Sequence, residues 1–143
     1  MDTKSLLADL RALPTDDRFL FELNRLVERW KAAGIRQEAV EPVLEFLEDD
    51  PDVDLGTPGP LVHFLDDCIG CGFEPALLAS LARRPVAHTT WMLNRLLNVE
   101  RDPARRLSYL AAMRAVAANR TAEEAVRERA RDYLDWQRRR GST

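Results

Sequence analysis

Cys68-Ile69-Gly70-Cys71 sets two thiols three residues apart, a spacing that serves either a zinc site or a redox dithiol. Zinc needs four ligands, and the only histidines in the chain are His63 and His88. The order His63, Cys68, Cys71, His88 matches none of the usual zinc spacings. A redox dithiol opens a helix after a strand in an α/β fold, whereas this pair follows a helical segment. The plainer reading is two small, partly buried thiols at a glycine-rich corner, with no metal bound. Ser80 or Ser108 could serve a nucleophilic triad, but no histidine and acid are marked around either one. His63 and His88 read as structural histidines on helix faces or ends. Gly70-Cys71-Gly72 is too short for a phosphate loop and follows a helix rather than a strand. No cofactor and no enzymatic activity are therefore expected.

The acidic residues carry more. Glu41, Glu45, Glu48, Asp49, Asp50, Asp52 and Asp54 follow one another closely, and Asp66 and Asp67 come soon after. Glu41, Glu45 and Glu48 share a helix face at i, i+4, i+7 spacing, which is mildly self-repulsive. A calcium loop starting at Asp50 would need glycine at its sixth position and glutamate at its twelfth. Those positions hold Leu55 and Leu61, which excludes an EF-hand. Two readings stay open: a solvated face with a polar loop, or a surface complementary to a basic partner, which would speed encounter and set orientation. On the second reading all nine of these carboxylates form the partner-binding surface.

The charge is unevenly spread. The net formal charge is −3. Residues 1–35 carry six basic and six acidic groups, residues 36–76 one basic group, Arg36, against eleven acidic ones, and residues 77–143 fourteen basic against seven acidic. Such asymmetry bears on partners rather than on fold. Among the late arginines Arg127, Arg129, Arg131, Arg138, Arg139 and Arg140, the acids Glu123, Glu124, Glu128, Asp132 and Asp135 are interleaved. Pairing along a helix accounts for them more simply than a nucleic-acid surface does.

The elements that must position these residues are helical throughout. No segment alternates with period two, so no strand is expected. Proline, glycine and capping residues divide the chain into about eight helices. The first covers Lys4 to Leu13 and is stopped by Pro14. The second runs from Asp16 to Ala33, with Thr15 placed to cap it, Gly34 to end it, and a stripe of Phe19, Leu20, Leu23, Leu26, Val27 and Trp30. The third covers roughly Gln37 to Asp49 with Pro42 in its first turn, or else it starts at Glu41. Thr57-Pro58-Gly59-Pro60 opens a fourth, which ends near Cys68, and Gly70 and Gly72 break it. The fifth starts at Pro75 and stops at Pro85. The sixth, Ala87 to Asn98, is apolar around most of its circumference and should have neighbours on two sides. Asp102-Pro103 starts the seventh, and Thr121-Ala122-Glu123-Glu124 reads as a capping box for the eighth.

These features predict one all-α domain over 1–143, its helices in antiparallel pairs as a short HEAT- or armadillo-like solenoid, with a compact helical bundle as the alternative. Apolar residues make up 45% of the chain, enough for a core without disulfide or metal. No apolar run approaches the roughly 20 residues of a membrane span, and the N-terminus does not resemble a signal peptide. A cytoplasmic protein is expected, with no membrane or nucleic-acid partner.

Two stretches together resemble a known group: Asp54-Leu-Gly-Thr-Pro-Gly-Pro-Leu-Val-His-Phe-Leu65 and Arg84-Pro-Val-Ala-His-Thr-Thr-Trp-Met-Leu-Asn-Arg-Leu-Leu-Asn98. They are similar to small bacterial helical proteins that act as immunity proteins in polymorphic toxin and contact-dependent inhibition systems. The resemblance covers the middle third of the chain. It implies a protein that binds and blocks a cognate toxin, often a nuclease, with no interface residue carried over. The motif residues themselves read as structure: helix-start prolines, core aromatics, and Asn94 and Asn98 bonding to neighbouring backbone. A nuclease has a basic cleft for phosphates, which an acidic patch could occupy. The expected function is thus neutralisation of a basic protein toxin through the acidic surface. A helical adaptor for another protein is the alternative, and an enzyme or metal-binding protein ranks below both.

Overall fold

In a computed structural model, which describes residues 2–56 and 59–141, eight α-helices follow one another and no strand occurs among those residues. They are α1 (Thr3–Arg11), α2 (Phe19–Ala32), α3 (Val40–Asp49), α4 (Pro60–Asp66), α5 (Phe73–Arg83), α6 (Ala87–Val99), α7 (Pro103–Ala117) and α8 (Glu124–Gly141). A single 3₁₀ turn, Gln37–Ala39, leads into α3. The all-helical expectation holds. Among the described residues no helix is long and apolar enough to cross a membrane.

Backbone contacts group the chain into two compact units, Met1–Ala76 and Leu77–Thr143, with the division inside α5. This division coincides with the charge boundary, so the first unit carries seven basic and seventeen acidic groups and the second fourteen and seven.

In the first unit α1 packs on α3, and α2 on α4. Leu6 and Leu10 of α1, Leu23 and Leu26 of α2, Leu44 and Leu47 of α3, and Leu61 and Leu65 of α4 are all no more than 1% exposed. Burying one such side chain stabilises by about 1.5–3 kcal/mol. The Trp30 ring lies edge-on to Phe64, centroids 5.7 Å apart. Its indole N–H is buried with no hydrogen-bond partner among the described residues.

The ends of these helices follow local chemistry. Asp2 caps α1 by accepting from the Ser5 amide at 2.8 Å. At the end of α2, Gly34 takes φ +75° while the Ile35 amide donates to the Trp30 carbonyl at 2.9 Å and the Gly34 amide to Lys31 at 3.1 Å. That is the Schellman arrangement, which satisfies two of the last carbonyls of α2 and turns Ile35 inward. Pro42 lies in the first turn of α3, as its lack of an amide hydrogen requires. Gly59 precedes α4 at φ +87°, where any Cβ would fall 1.7 Å from the Leu55 carbonyl oxygen; no other residue fits there.

In the second unit α6 packs against both α7 and α8, and α7 against α8. The two-sided apolar character of α6 thus has its reason: Met92, Leu93, Leu96 and Leu97 are buried, and Trp91 is half-buried. Asp102 caps α7 through the Arg105 amide at 3.0 Å, with Pro103 in the first turn, as its sequence indicates.

Several expectations are corrected. Thr15 does not cap α2, which starts three residues later than Asp16. Asp16 instead accepts from the Arg18 amide at 3.0 Å and makes a turn of its own. Thr121 forms no capping box: the Asn119 side chain accepts from both its amide, 2.9 Å, and its hydroxyl, 2.7 Å. This tight local turn delays α8 to Glu124. The fifth helix starts at Phe73, two residues before Pro75, which sits in its first turn. The expected Thr57 cap and Pro58 lie outside the described residues.

Candidate functional site

Of the nine acidic residues singled out from the sequence, four line one cleft and five do not. Asp49, Asp50, Asp52 and Asp54 come together at the rim of a cleft of about 450 Å³ in the first unit. The loop after α3 carries three of them on alternating positions. Its turn is closed by the Val53 amide on the Asp50 carbonyl, 3.3 Å, and by the Gly56 amide on the Asp54 carboxylate, 2.9 Å. Asp16 lines the same cleft, and the charge distribution did not suggest it because it belongs to the neutral first segment. The floor is apolar: Leu10 and Leu13 from α1 and the residues after it, Phe19 from α2, and Phe46 from α3.

Two arginines belong to this rim's electrostatics. Arg11 Nη2 donates to Asp49 Oδ2 at 2.6 Å, with both side chains about half exposed, 54% and 48%. Arg18 donates from Nε and Nη2 to the Asp16 carboxylate at 2.9–3.2 Å. That side-chain pairing, helped by the Arg18 amide, holds the Asp16 carboxyl below its ordinary value, so it is ionised throughout the neutral range. Asp50, Asp52 and Asp54 are exposed. The cleft therefore offers an acidic rim over an apolar floor, chemistry suited to a side chain or segment that is cationic at one end and apolar along its length.

The remaining five lie elsewhere. Glu41 and Glu45 are exposed on α3 and do not line the cleft. Glu48 is only 7% exposed and offers little surface. Asp66 is half-buried near the end of α4, and Asp67 is exposed just beyond it. Four of the nine expected carboxylates, together with Asp16, line the cleft.

The other chemical candidates take ordinary places. Cys68 is buried and Cys71 exposed, both as free thiols. Burial pushes the Cys68 thiol up, with the neighbouring Cys71 adding to the shift, so it is a poor thiolate. No group of three or more metal-binding side chains is found among the described residues. His63 is exposed, His88 half-buried, Ser80 fully buried and Ser108 exposed.

In the second unit the resemblance words serve structure, though not as expected. Thr90 Oγ1 donates to the Val86 carbonyl at 2.8 Å and fixes the start of α6. Asn94 and Asn98 accept from a side chain, not from backbone donors: Gln137 Nε2 reaches both at 2.8 Å. Gln137 Oε1 in turn accepts from Arg106 Nη2 at 3.3 Å, and Arg106 Nη1 donates to the Leu97 carbonyl at 2.6 Å. Three helices are thus pinned by one buried amide, because Gln137 is 2% exposed. Neither a family model nor a curated protein nor a solved structure matches the chain.

Proposed function

We propose that this chain is a binding protein that neutralises a basic protein toxin by taking a cationic segment of it in the acidic cleft of the first unit. The observation that carries the reading is the cleft itself: Asp16, Asp49, Asp50, Asp52 and Asp54 around an apolar floor, in a unit with ten more acidic than basic groups. Such a rim raises association rates with a cationic partner, while the floor supplies contact that excludes water. The toxin as partner rests on the resemblance of Asp54–Leu65 and Arg84–Asn98 to bacterial immunity proteins. It requires no catalysis by this chain. Co-expression with the protein encoded by the adjacent gene tests it. The reading expects surviving cells and a complex that co-purifies. Growth arrest without complex would end the toxin proposal, and a complex with a harmless neighbour would favour a helical adaptor instead.

A further inference from the structure

The second unit holds a groove of the opposite character. Between α7 and α8 lies a cleft of about 510 Å³, with Leu110 and Leu134 on its floor and Arg106, Arg114 and Arg138 around it. Arg106 is fixed by its bonds to Leu97 and Gln137. Asp135, the acid among the lining residues, is held by Arg138 at 3.2 Å. On α7 Leu107, Leu110 and Arg114 follow one another at i, i+3, i+7, and Leu107 is 64% exposed. On α8 Leu134 and Arg138 stand one turn apart. Arg106 to Arg114 spans two turns of helix, about 12 Å.

We propose that this groove binds an acidic amphipathic helix of a second protein, laid along α7 and α8. Charge chooses the occupant: the unit carries twice as many basic as acidic groups, and the apolar strip is bordered by guanidiniums, which pair with carboxylates. A second copy offering the same groove would bring arginine against arginine. The acidic α3 of a second copy has its apolar stripe, Val43, Leu44 and Leu47, already buried. A small anion would leave the apolar floor and most of the groove's length uncovered. The proposal is independent of the acidic cleft, so the two stand or fall separately.

Fluorescence anisotropy with the full chain tests it. The probe is a labelled synthetic helix of four turns with leucines at i, i+3, i+7 and i+10 and glutamates elsewhere. Binding is expected, weakening as salt rises, and weakened at least tenfold by Arg114→Glu with Arg138→Glu. Leu107→Ser should weaken it as well, and Asp50→Lys with Asp52→Lys should leave it unchanged. Arg114, Arg138 and Leu107 are exposed, so circular dichroism of these variants should match that of the parent. Equal binding of a probe with serine for leucine would overturn the proposal. So would unchanged affinity in the arginine variants, or equally tight binding of a DNA duplex or of inorganic phosphate at that site.

Discussion

Arg11 Nη2 and Asp49 Oδ2 meet at 2.6 Å on the rim of the acidic cleft, so, with Asp16 held by Arg18, two of its five carboxylates are already engaged by cations of the same unit. Both side chains are about half exposed, and solvent screens such a pair to no more than about 1 kcal/mol of stability. Arg11→Gln is therefore expected to leave the melting temperature within a few degrees of the parent while making the cleft more acidic. Binding to a cationic partner should tighten. Thermal melts and titration of the partner read the two effects separately.

Gln137 is the joint of the second unit. Gln137→Leu removes a donor from Asn94, which is 7% exposed, and leaves its carbonyl oxygen without that bond. A cost of about 2–3 kcal/mol is expected, the penalty of an unsatisfied buried group plus a lost hydrogen bond. Adding Asn94→Leu should return part of it, because both partners are then apolar. Urea denaturation of the single and double variants measures the difference.

Trp30 carries a buried indole N–H without a partner among the described residues. Trp30→Phe removes that donor while keeping an aromatic ring against Phe64, so the lost volume is offset and the cost should stay below about 1.5 kcal/mol. Trp30→Ala leaves a cavity and should cost about 3–5 kcal/mol. Equal costs for the two would mean that the indole nitrogen is bonded in solution.

The two thiols should behave differently toward a disulfide reagent at pH 8. Cys71 is exposed and should react at once, whereas Cys68 is 1% exposed and its thiol is pushed up by burial. One equivalent is expected from the native chain and two in guanidinium. In Cys71→Ser the residual reaction should follow the rate of unfolding. Two fast equivalents in the native state would show that the corner between α4 and α5 opens.

The helices are readable from sequence because apolar side chains recur at helical spacing and proline and glycine punctuate them. Asp102-Pro103 and Gly34 mark ends that local hydrogen bonds alone decide. Thr15 and Thr121 mislead for a shared reason: a neighbouring Asp16 or Asn119 competes for the same backbone and makes a turn first. The site is less legible. Asp50, Asp52 and Asp54 reach the cleft because their loop is short and polar, but Asp16 arrives through tertiary packing that no charge count contains. Glu48 shares the i, i+4, i+7 spacing of Glu41 and Glu45 and is nevertheless buried, since spacing says which residues share a face and not which of them tertiary packing covers. Gln137 continues the stripe of Val126, Ala130 and Leu134 by helical steps, a signal available to anyone willing to place a polar residue inside.

The rate at which the chain associates with the protein encoded beside it, measured by stopped flow at low and high salt, tests the acidic cleft most directly. For the parent a fast, strongly salt-dependent rate is expected, and Asp50→Lys, Asp52→Lys and Asp54→Lys together should slow it at least a hundredfold and abolish protection of the cell. An association rate and a level of protection unchanged by that triple reversal would contradict the account.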